Sequence, residues 1–205
     1  MEKGRGSQIM ENLIFEDIMS PGVILSNCIE LSGIKKYYPD YLQVDQVINL
    51  SISDKLNPSD LPEKTALVYN TNLYITDDNG NIAFFDSDMK HTDHAGQIRK
   101  QHQEYKAVGG KEAWHLDMDA GHFGIALGQH PSIAMEQHKH TNRYGVWRKF
   151  EMAWDRLSGE GHKVNVIAVF VEGDEEGTYS PFWCIRESID VDEVSEYVIT
   201  NDDLQ

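Results

Sequence analysis

The sequence Asp119-Ala120-Gly121-His122 is the part of the chain best suited to chemistry. A neutral imidazole near its intrinsic pKa can take a proton from water at physiological pH. The glycine before the histidine permits a close backbone approach and a turn that aims the ring into a site. Asn142 follows at the start of a predicted helix, and Glu151 lies within that helix. This arrangement suits phosphodiester cleavage assisted by a hydrated Mg²⁺ ion held by few protein oxygens.

In this order of residues the chain resembles the DNA/RNA non-specific endonucleases of the ββα-metal (His-Me finger) type, in the Asp-Ala-Gly-His variant of a toxin-like branch. The resemblance runs from about Leu73 to the C-terminal strands, more than half of the chain. It is carried by the hairpin sequence Tyr74 to Asn81 and then by Asp119-Ala120-Gly121-His122, Gln137, Asn142-Arg143, Trp147, Glu151 and Trp154. The implied fold is α+β, with a mostly antiparallel sheet and a ββα-metal catalytic core.

The resemblance also implies a role for each polar residue of the motif. His122 would be the general base, and Asn142 the only direct protein ligand of Mg²⁺, for which Mn²⁺ could substitute. Glu151 would orient metal-bound water without binding the metal, and Asp119 would orient its neighbours.

Three further residues would bind the substrate. The resemblance assigns the scissile or flanking phosphate to Arg143 or Arg148, and gives Gln137 a substrate-binding role. The expected activity is Mg²⁺-dependent endonuclease cleavage of DNA, with RNA left open, through backbone contacts that read little sequence. The same resemblance suggests an antibacterial effector with nucleic acid as substrate and a cognate immunity protein as partner.

Plainer interpretations of these residues stay open. His122 could be a structural histidine at a strand end, Asn142 a helix N-cap and Glu151 an ordinary exposed helical acid. Many members of the family have an arginine where this chain has Ala120, so the second hypothesis is a catalytically weakened acidic module that binds a basic protein. A third is a transition-metal hydrolase, which only the histidine count supports. His138 and His140 could in principle hold a transition metal, but without a third ligand a solvated loop is the preferred interpretation of this pair.

Apolar patterning predicts the elements that would position these residues. Strand-like runs on both sides of the turn Asp77 to Asn81 predict a hairpin. The acids of this turn are expected to be turn formers, since the spacing of a calcium loop is not met. Helical spacing from Val146 to Leu157 predicts a helix that stops at Gly159. Strands are predicted at 163–171 and 179–186, with an edge strand at 197–200. We expect two parts of the chain: an N-terminal extension over 1–64, packed on a nuclease domain over 65–205.

Composition excludes several classes of protein. The 205 residues include 34 Asp+Glu and 18 Lys+Arg, a net charge of −16, which disfavours nonspecific nucleic-acid binding by the whole surface. No apolar run reaches the roughly 18 to 20 residues of a membrane span, and the start does not resemble a cleavable signal. The expectation is a cytoplasmic protein, or one exported without a leader. Cys28 and Cys184 are too few for a disulfide framework, and two buried free thiols are expected.

The charge is unevenly distributed along the chain. All nine histidines lie between residues 91 and 162. The segment 91–163 holds ten Lys+Arg and nine Asp+Glu, net +1, while the flanks hold the remaining eight basic and 25 acidic residues, net −17. A solvated acidic surface around a neutral core segment is one explanation. The other is a phosphate-facing site from which acidic residues have been excluded.

Overall fold

The computed structural model describes residues 26–57, 60–92, 118–122, 127–138, 145–171 and 182–200. For 118–122, 134–138 and the strand-end residues 171, 182 and 200, it describes the backbone alone. Within these ranges the chain forms eleven strands and one helix. The strands are β1 (Asn27–Leu31), β2 (Ile34–Tyr38), β3 (Gln46–Asn49), β4 (Thr65–Tyr69), β5 (Asn72–Thr76), β6 (Ile82–Met89), β7 (Met118–His122), β8 (Ala134–His138), β9 (Val164–Val171), β10 (Phe182–Ile189) and β11 (Glu193–Thr200), and the helix is α1 (Val146–Gly159).

Seven of the strands form one sheet in the order β11-β10-β9-β6-β5-β4-β3. All neighbours in it are antiparallel except β3 and β4, which are parallel. The expectation of an α+β fold with a mostly antiparallel sheet is therefore confirmed. β1 pairs with β2 and β7 with β8 in two separate antiparallel hairpins. None of the described residues belongs to a helix long and apolar enough to cross a membrane.

Both faces of the large sheet are covered. Alternate residues of each strand point to opposite faces, so that Tyr74 and Phe85 pack in the cluster that includes α1, whereas Leu73 and Phe84 pack in the cluster that includes Ile29 of β1. The helix thus lies on one face and the β1–β2 hairpin on the other. β3, which comes from the first 64 residues, joins the sheet directly beside β4.

The predicted hairpin is confirmed as β5 and β6, and its acids are turn formers as expected. The carboxylate of Asp77 accepts hydrogen bonds from the backbone N–H groups of Asn79 and Asn81, both at 2.8 Å. Gly80 has φ +80°, and a Cβ there would lie 2.3 Å from the carbonyl oxygen of Leu61. Only glycine satisfies both conditions at this position.

The helix agrees with the sequence pattern, and the later strands are present with different bounds: β10 continues to Ile189, past the predicted end at 186, and β11 begins at Glu193, before the predicted start at 197. α1 ends at Gly159 as predicted and buries Trp147 and Trp154, two turns apart, against β6 and β9. Trp183 of β10 packs 6.3 Å from Trp147 between ring centroids. Truncating one of these rings to alanine would cost roughly 3 to 5 kcal/mol of stability.

The cysteines differ from expectation in one respect. Both are free, but Cys28 is exposed while Cys184 is buried. The expectation of two buried thiols is wrong for Cys28 because β1 belongs to a hairpin on the outside of the sheet, where its alternate residues face solvent.

Candidate active site

The candidate catalytic residues lie in one insertion between two neighbouring strands. β6 ends at Met89 and β9 begins at Val164, and these residues are direct partners in the sheet. The chain between them contains β7, β8 and α1. It coincides with the histidine-containing segment 91–163, whose net charge is +1, whereas the two flanks together carry −17. The near-neutral segment of the sequence is therefore the same segment that is inserted between β6 and β9.

The Asp-Ala-Gly-His sequence forms strand β7, which ends at His122. In the β7–β8 pair, Asp119 lies opposite Gln137 and His122 lies opposite Ala134. Two of the predicted site residues, Asp119 and Gln137, are thus brought together as backbone neighbours although 18 positions separate them in sequence. The side chains of this pair of strands lie outside the described part of the molecule.

The connection between β7 and β8 is buried at Leu127 and from Gln129 to Ile133, and it is bonded to the large sheet. Asn72 of β5 donates to the carbonyl oxygen of Gly128 at 3.3 Å, and the hydroxyl of Tyr74 donates to Gln129. The N–H group of Lys90 donates to the carbonyl oxygen of Leu127 at 2.9 Å. These bonds satisfy polar groups that burial would otherwise penalise.

His130 is a fully buried polar residue of this connection. Its Nδ1 accepts the backbone N–H of Ser132 at 3.2 Å, and its Nε2 lies 3.0 Å from the carbonyl oxygen of Ser51. The ring of Tyr69 meets it edge-on at 4.9 Å between centroids. Burial lowers the pKa of His130 below 6.5, and outweighs the opposing influence of the Ser51 hydrogen bond and the Asp54 carboxylate. This histidine is therefore neutral at physiological pH.

Helix α1 begins at Val146 with Gly145 as its N-cap. The interpretation of Asn142 as the N-cap is therefore wrong, because the helix starts three residues further along. Glycine has no side chain that could accept a hydrogen bond from the first backbone N–H groups of the helix, and the first turn holds no acidic residue. The positive end of the helix dipole is thus not neutralised by the helix's own residues.

Arg148 and Glu151 form an ion pair on α1, with 3.0 Å between Nη1 and Oε2. The side chain of Glu151 is 13% exposed and that of Arg148 is 45% exposed. The interpretation of Glu151 as an ordinary exposed acid is therefore wrong. The arginine places its charge next to the more buried carboxylate and keeps one side in solvent, so a phosphate could approach it from outside.

Three histidines have side chains in the described ranges, and each has a partner within the fold. His91 Nδ1 lies 2.8 Å from Asp155 and joins the end of β6 to α1. His162 Nδ1 lies 2.6 Å from Asp190, and this contact raises the pKa of His162 and lowers that of Asp190. His162 thus joins the end of the insertion to the turn between β10 and β11, whereas His91 bonds within the insertion.

Two predicted residues, Asn142 and Arg143, lie outside the described ranges, as does His140. Among the residues that are described, no group of three His, Cys, Asp or Glu side chains could hold a metal ion. The hypothesis of a transition-metal hydrolase therefore gains no ligand set from this part of the chain.

The residues missed by sequence reasoning are Gln129, His130 and Ser132, all buried. They stand in the run Gly128-Gln129-His130-Pro131-Ser132, whose residue types are those of an exposed turn. Nothing in the residue types distinguishes them from a surface loop, so only their tertiary hydrogen bonds identify them.

Comparison with known proteins gives no match to any family model and no match among curated proteins.

Proposed function

We propose that the protein is a Mg²⁺-dependent endonuclease that hydrolyses phosphodiester bonds of DNA, and of RNA as a second candidate substrate, with little sequence preference. The observation that supports it most is the chain order strand, strand, helix within the β6–β9 insertion, with His122 at the end of the first strand. This is the order of a ββα-metal core, which we propose for β7, β8 and α1.

The proposed general base is His122, which takes a proton from the attacking water in its neutral form. Asp119 and Gln137, opposite each other in the hairpin, are proposed to orient the base and the substrate. The positive end of α1, whose first turn holds no acidic residue, and the guanidinium of Arg148 are proposed to supply charge for a phosphate group, with Arg143 as a further candidate.

Mg²⁺ is proposed to be held by Asn142 through its amide oxygen, a donor type that this cation prefers. When bound, the ion would stabilise the negative charge of the pentacovalent phosphate and the leaving oxygen. Glu151 fits an orienting role, since its carboxylate is mostly enclosed, lies on the second turn of α1 and is charge-balanced by Arg148. One protein ligand is enough for a cation that keeps several waters.

Plasmid cleavage by the purified chain tests the proposal. Wild type should relax and degrade plasmid DNA in Mg²⁺ or Mn²⁺ and stop when EDTA is added. His122→Ala should lose roughly 100-fold or more of the rate, as expected when a general base is removed. His162→Ala, which removes an exposed histidine outside the proposed site, should cut like wild type. Undiminished cutting by His122→Ala would overturn the assigned mechanism.

One observation favours the alternative of a weakened binding module. Arg148, a proposed phosphate-binding cation, is already paired with Glu151, and Ala120 supplies no compensating charge. In this alternative, pure wild type does not cut in either metal, and it binds a basic protein with an affinity that falls as salt increases. A basic-peptide titration at two salt concentrations therefore separates the two functions.

A further inference from the structure

We propose that His130 is a positioning residue for His122: its neutral ring fastens the connection between β7 and β8 to the large sheet, and protonation of the ring releases that connection. The inference deepens the proposed nuclease function, although its structural half can be tested without any catalysis.

The first step is the position of His130 along the chain. The buried segment Leu127–Ile133 leads directly into β8, whose first residue is Ala134. Ala134 is the backbone partner of His122. A displacement of this segment is therefore passed to the backbone pair that holds the proposed general base.

The second step is the proton on the ring. The N–H group of Ser132 can only donate, so Nδ1 of His130 must be the bare acceptor. Nε2 then holds the hydrogen and donates to the carbonyl oxygen of Ser51. A proton added to Nδ1 would place its N–H group against the backbone N–H of Ser132, and two donors cannot bond to each other. The ring would then hold a buried positive charge, and the Ser132 amide would have lost its acceptor.

The third step is what surrounds the ring. Tyr69 contacts its edge, and the hydroxyl of Tyr74 lies against the His130 backbone. Within the described part of the chain, the charge that acts on the ring is that of the Asp54 carboxylate, whose attraction for a proton is weaker than the effect of burial. Because the folded pKa is lowered, the stability contributed by the neutral ring is complete above pH 6.5 and is lost as the pH falls towards the lowered value.

The fourth step is the size of the effect on catalysis. A shift of about 1 Å in a positioned group can cost on the order of 100-fold in rate.

Other hydrogen bonds also hold this segment: Leu56 bonds to Ser132, and Asn72 bonds to Gly128. The expected consequence of protonation is thus a local release of the connection while the large sheet stays folded.

Hydrogen exchange followed by mass spectrometry tests the structural half. Between about pH 7.5 and pH 5, wild type should lose roughly tenfold or more of its protection in residues 127–138, after correction for intrinsic exchange, while β5, β6 and β9 keep theirs. His130→Asn retains an oxygen acceptor for Ser132 and cannot titrate in this range, so its protection should not change with pH. His162→Asn, the matched control, should behave like wild type. Unchanged protection in wild type, or the same loss in His130→Asn, would overturn the proposal.

The pH dependence of cleavage tests the catalytic half. If both His122 and His130 must be neutral, log(kcat/KM) for wild type falls on the acid side with a slope approaching about 2, whereas His130→Asn gives a slope of about 1. His130→Ala should lower kcat about 10-fold or more at pH 7.5 with KM within about twofold. Absence of cutting together with the predicted exchange pattern would contradict the nuclease and support the fastening role. Equal slopes for wild type and His130→Asn would contradict the positioning role.

Discussion

Val191 adopts a backbone conformation that is rare for a β-branched residue. Its φ is +74°, and that of Asp190 is +51°, in the turn between β10 and β11. Such turns favour glycine or asparagine because a Cβ is crowded at positive φ. Asp190 is held there by His162 and by the N–H of Lys163 at 2.8 Å, so neighbouring contacts stabilise the strained turn.

Val191→Gly should therefore stabilise the protein. Relief of backbone strain should raise the free energy of unfolding by about 1 to 2 kcal/mol. The greater freedom of glycine in the unfolded chain should lower it by roughly 0.5 to 1 kcal/mol. The side chain is 79% exposed, so little packing is lost. We expect Tm to rise by about 2 °C. Val194→Gly, in the adjoining strand, should lower it, and equal changes in both variants would exclude strain as the cause.

The two thiols should differ in reactivity. Burial raises the pKa of Cys184 to about 12, so almost no thiolate forms at neutral pH. Cys28 is exposed. A thiol reagent should therefore modify one cysteine in the folded protein and both in urea, and Cys28→Ser should abolish the modification of the folded protein. Rapid labelling of Cys184 in folded Cys28→Ser would show that the core around β10 opens readily.

At the scale of the element, the β5–β6 turn depends on Gly80 for two separate reasons. Its φ is positive, and its missing Cβ leaves space for the Leu61 carbonyl group. Gly33, in the β1–β2 turn, has φ +84° but nothing within 4 Å of a Cβ. Comparing the two glycines separates backbone strain from steric overlap.

Gly80→Ala should be clearly more destabilising than Gly33→Ala. Strain alone costs about 1 to 2 kcal/mol, which is the expected loss for Gly33→Ala. The overlap with backbone atoms of Leu61 should raise the loss to about 3 kcal/mol or more for Gly80→Ala. Urea unfolding of both variants measures the difference. Similar losses would mean that the chain around Leu61 moves away at little cost.

Helix α1 shows how one element serves both packing and the proposed chemistry. Trp147 and Trp154 are buried, and the indole N–H of Trp154 donates to Glu187 of β10. Arg148 and Glu151 lie between these anchors along the helix. Two buried rings thus fix the rotation of the helix about its axis, and with it the direction in which the ion pair is presented.

At the scale of the whole molecule, the net charge of −16 limits how the proposed nuclease could capture a nucleic acid. An acidic surface gives no long-range attraction for a polyanion, so the proposed capture would have to rely on a few local cations and the proposed metal ion. For one or two phosphate contacts the slope of log K against log salt concentration is about −1 to −2 on duplex DNA.

Binding of a short duplex to His122→Ala, measured across NaCl concentrations, should give that shallow slope. Arg148→Gln should make it shallower by about one unit if Arg148 contacts a phosphate. Lys35→Gln, on the β1–β2 hairpin, removes the same charge from the other side of the sheet and should leave the slope unchanged. A slope as steep as −5 would reveal a basic groove, and would contradict capture through a few local cations.

Local pattern was sufficient to predict much of the fold. The hairpin around Asp77 to Asn81, the helix ending at Gly159 and the presence of the later strands, though not the bounds of β10 and β11, were predictable. Each follows from a period of two or 3.6 residues and from turn chemistry within a few positions. The order of Asp119, Gln137 and Glu151 along the chain also needed no structure. These are local properties, which short-range sterics and hydrogen bonding determine.

Tertiary structure decided what depends on distant partners. It alone placed β6 beside β9, so that the neutral histidine-containing segment became one insertion, and it alone put Gln129, His130 and Ser132 in the interior. It also paired Arg148 with a largely enclosed Glu151 and left Cys28 outside. Burial and long-range hydrogen bonds arise from residues far apart in sequence, and the same residue types satisfy their polar groups either with water on a surface or with the protein in a core.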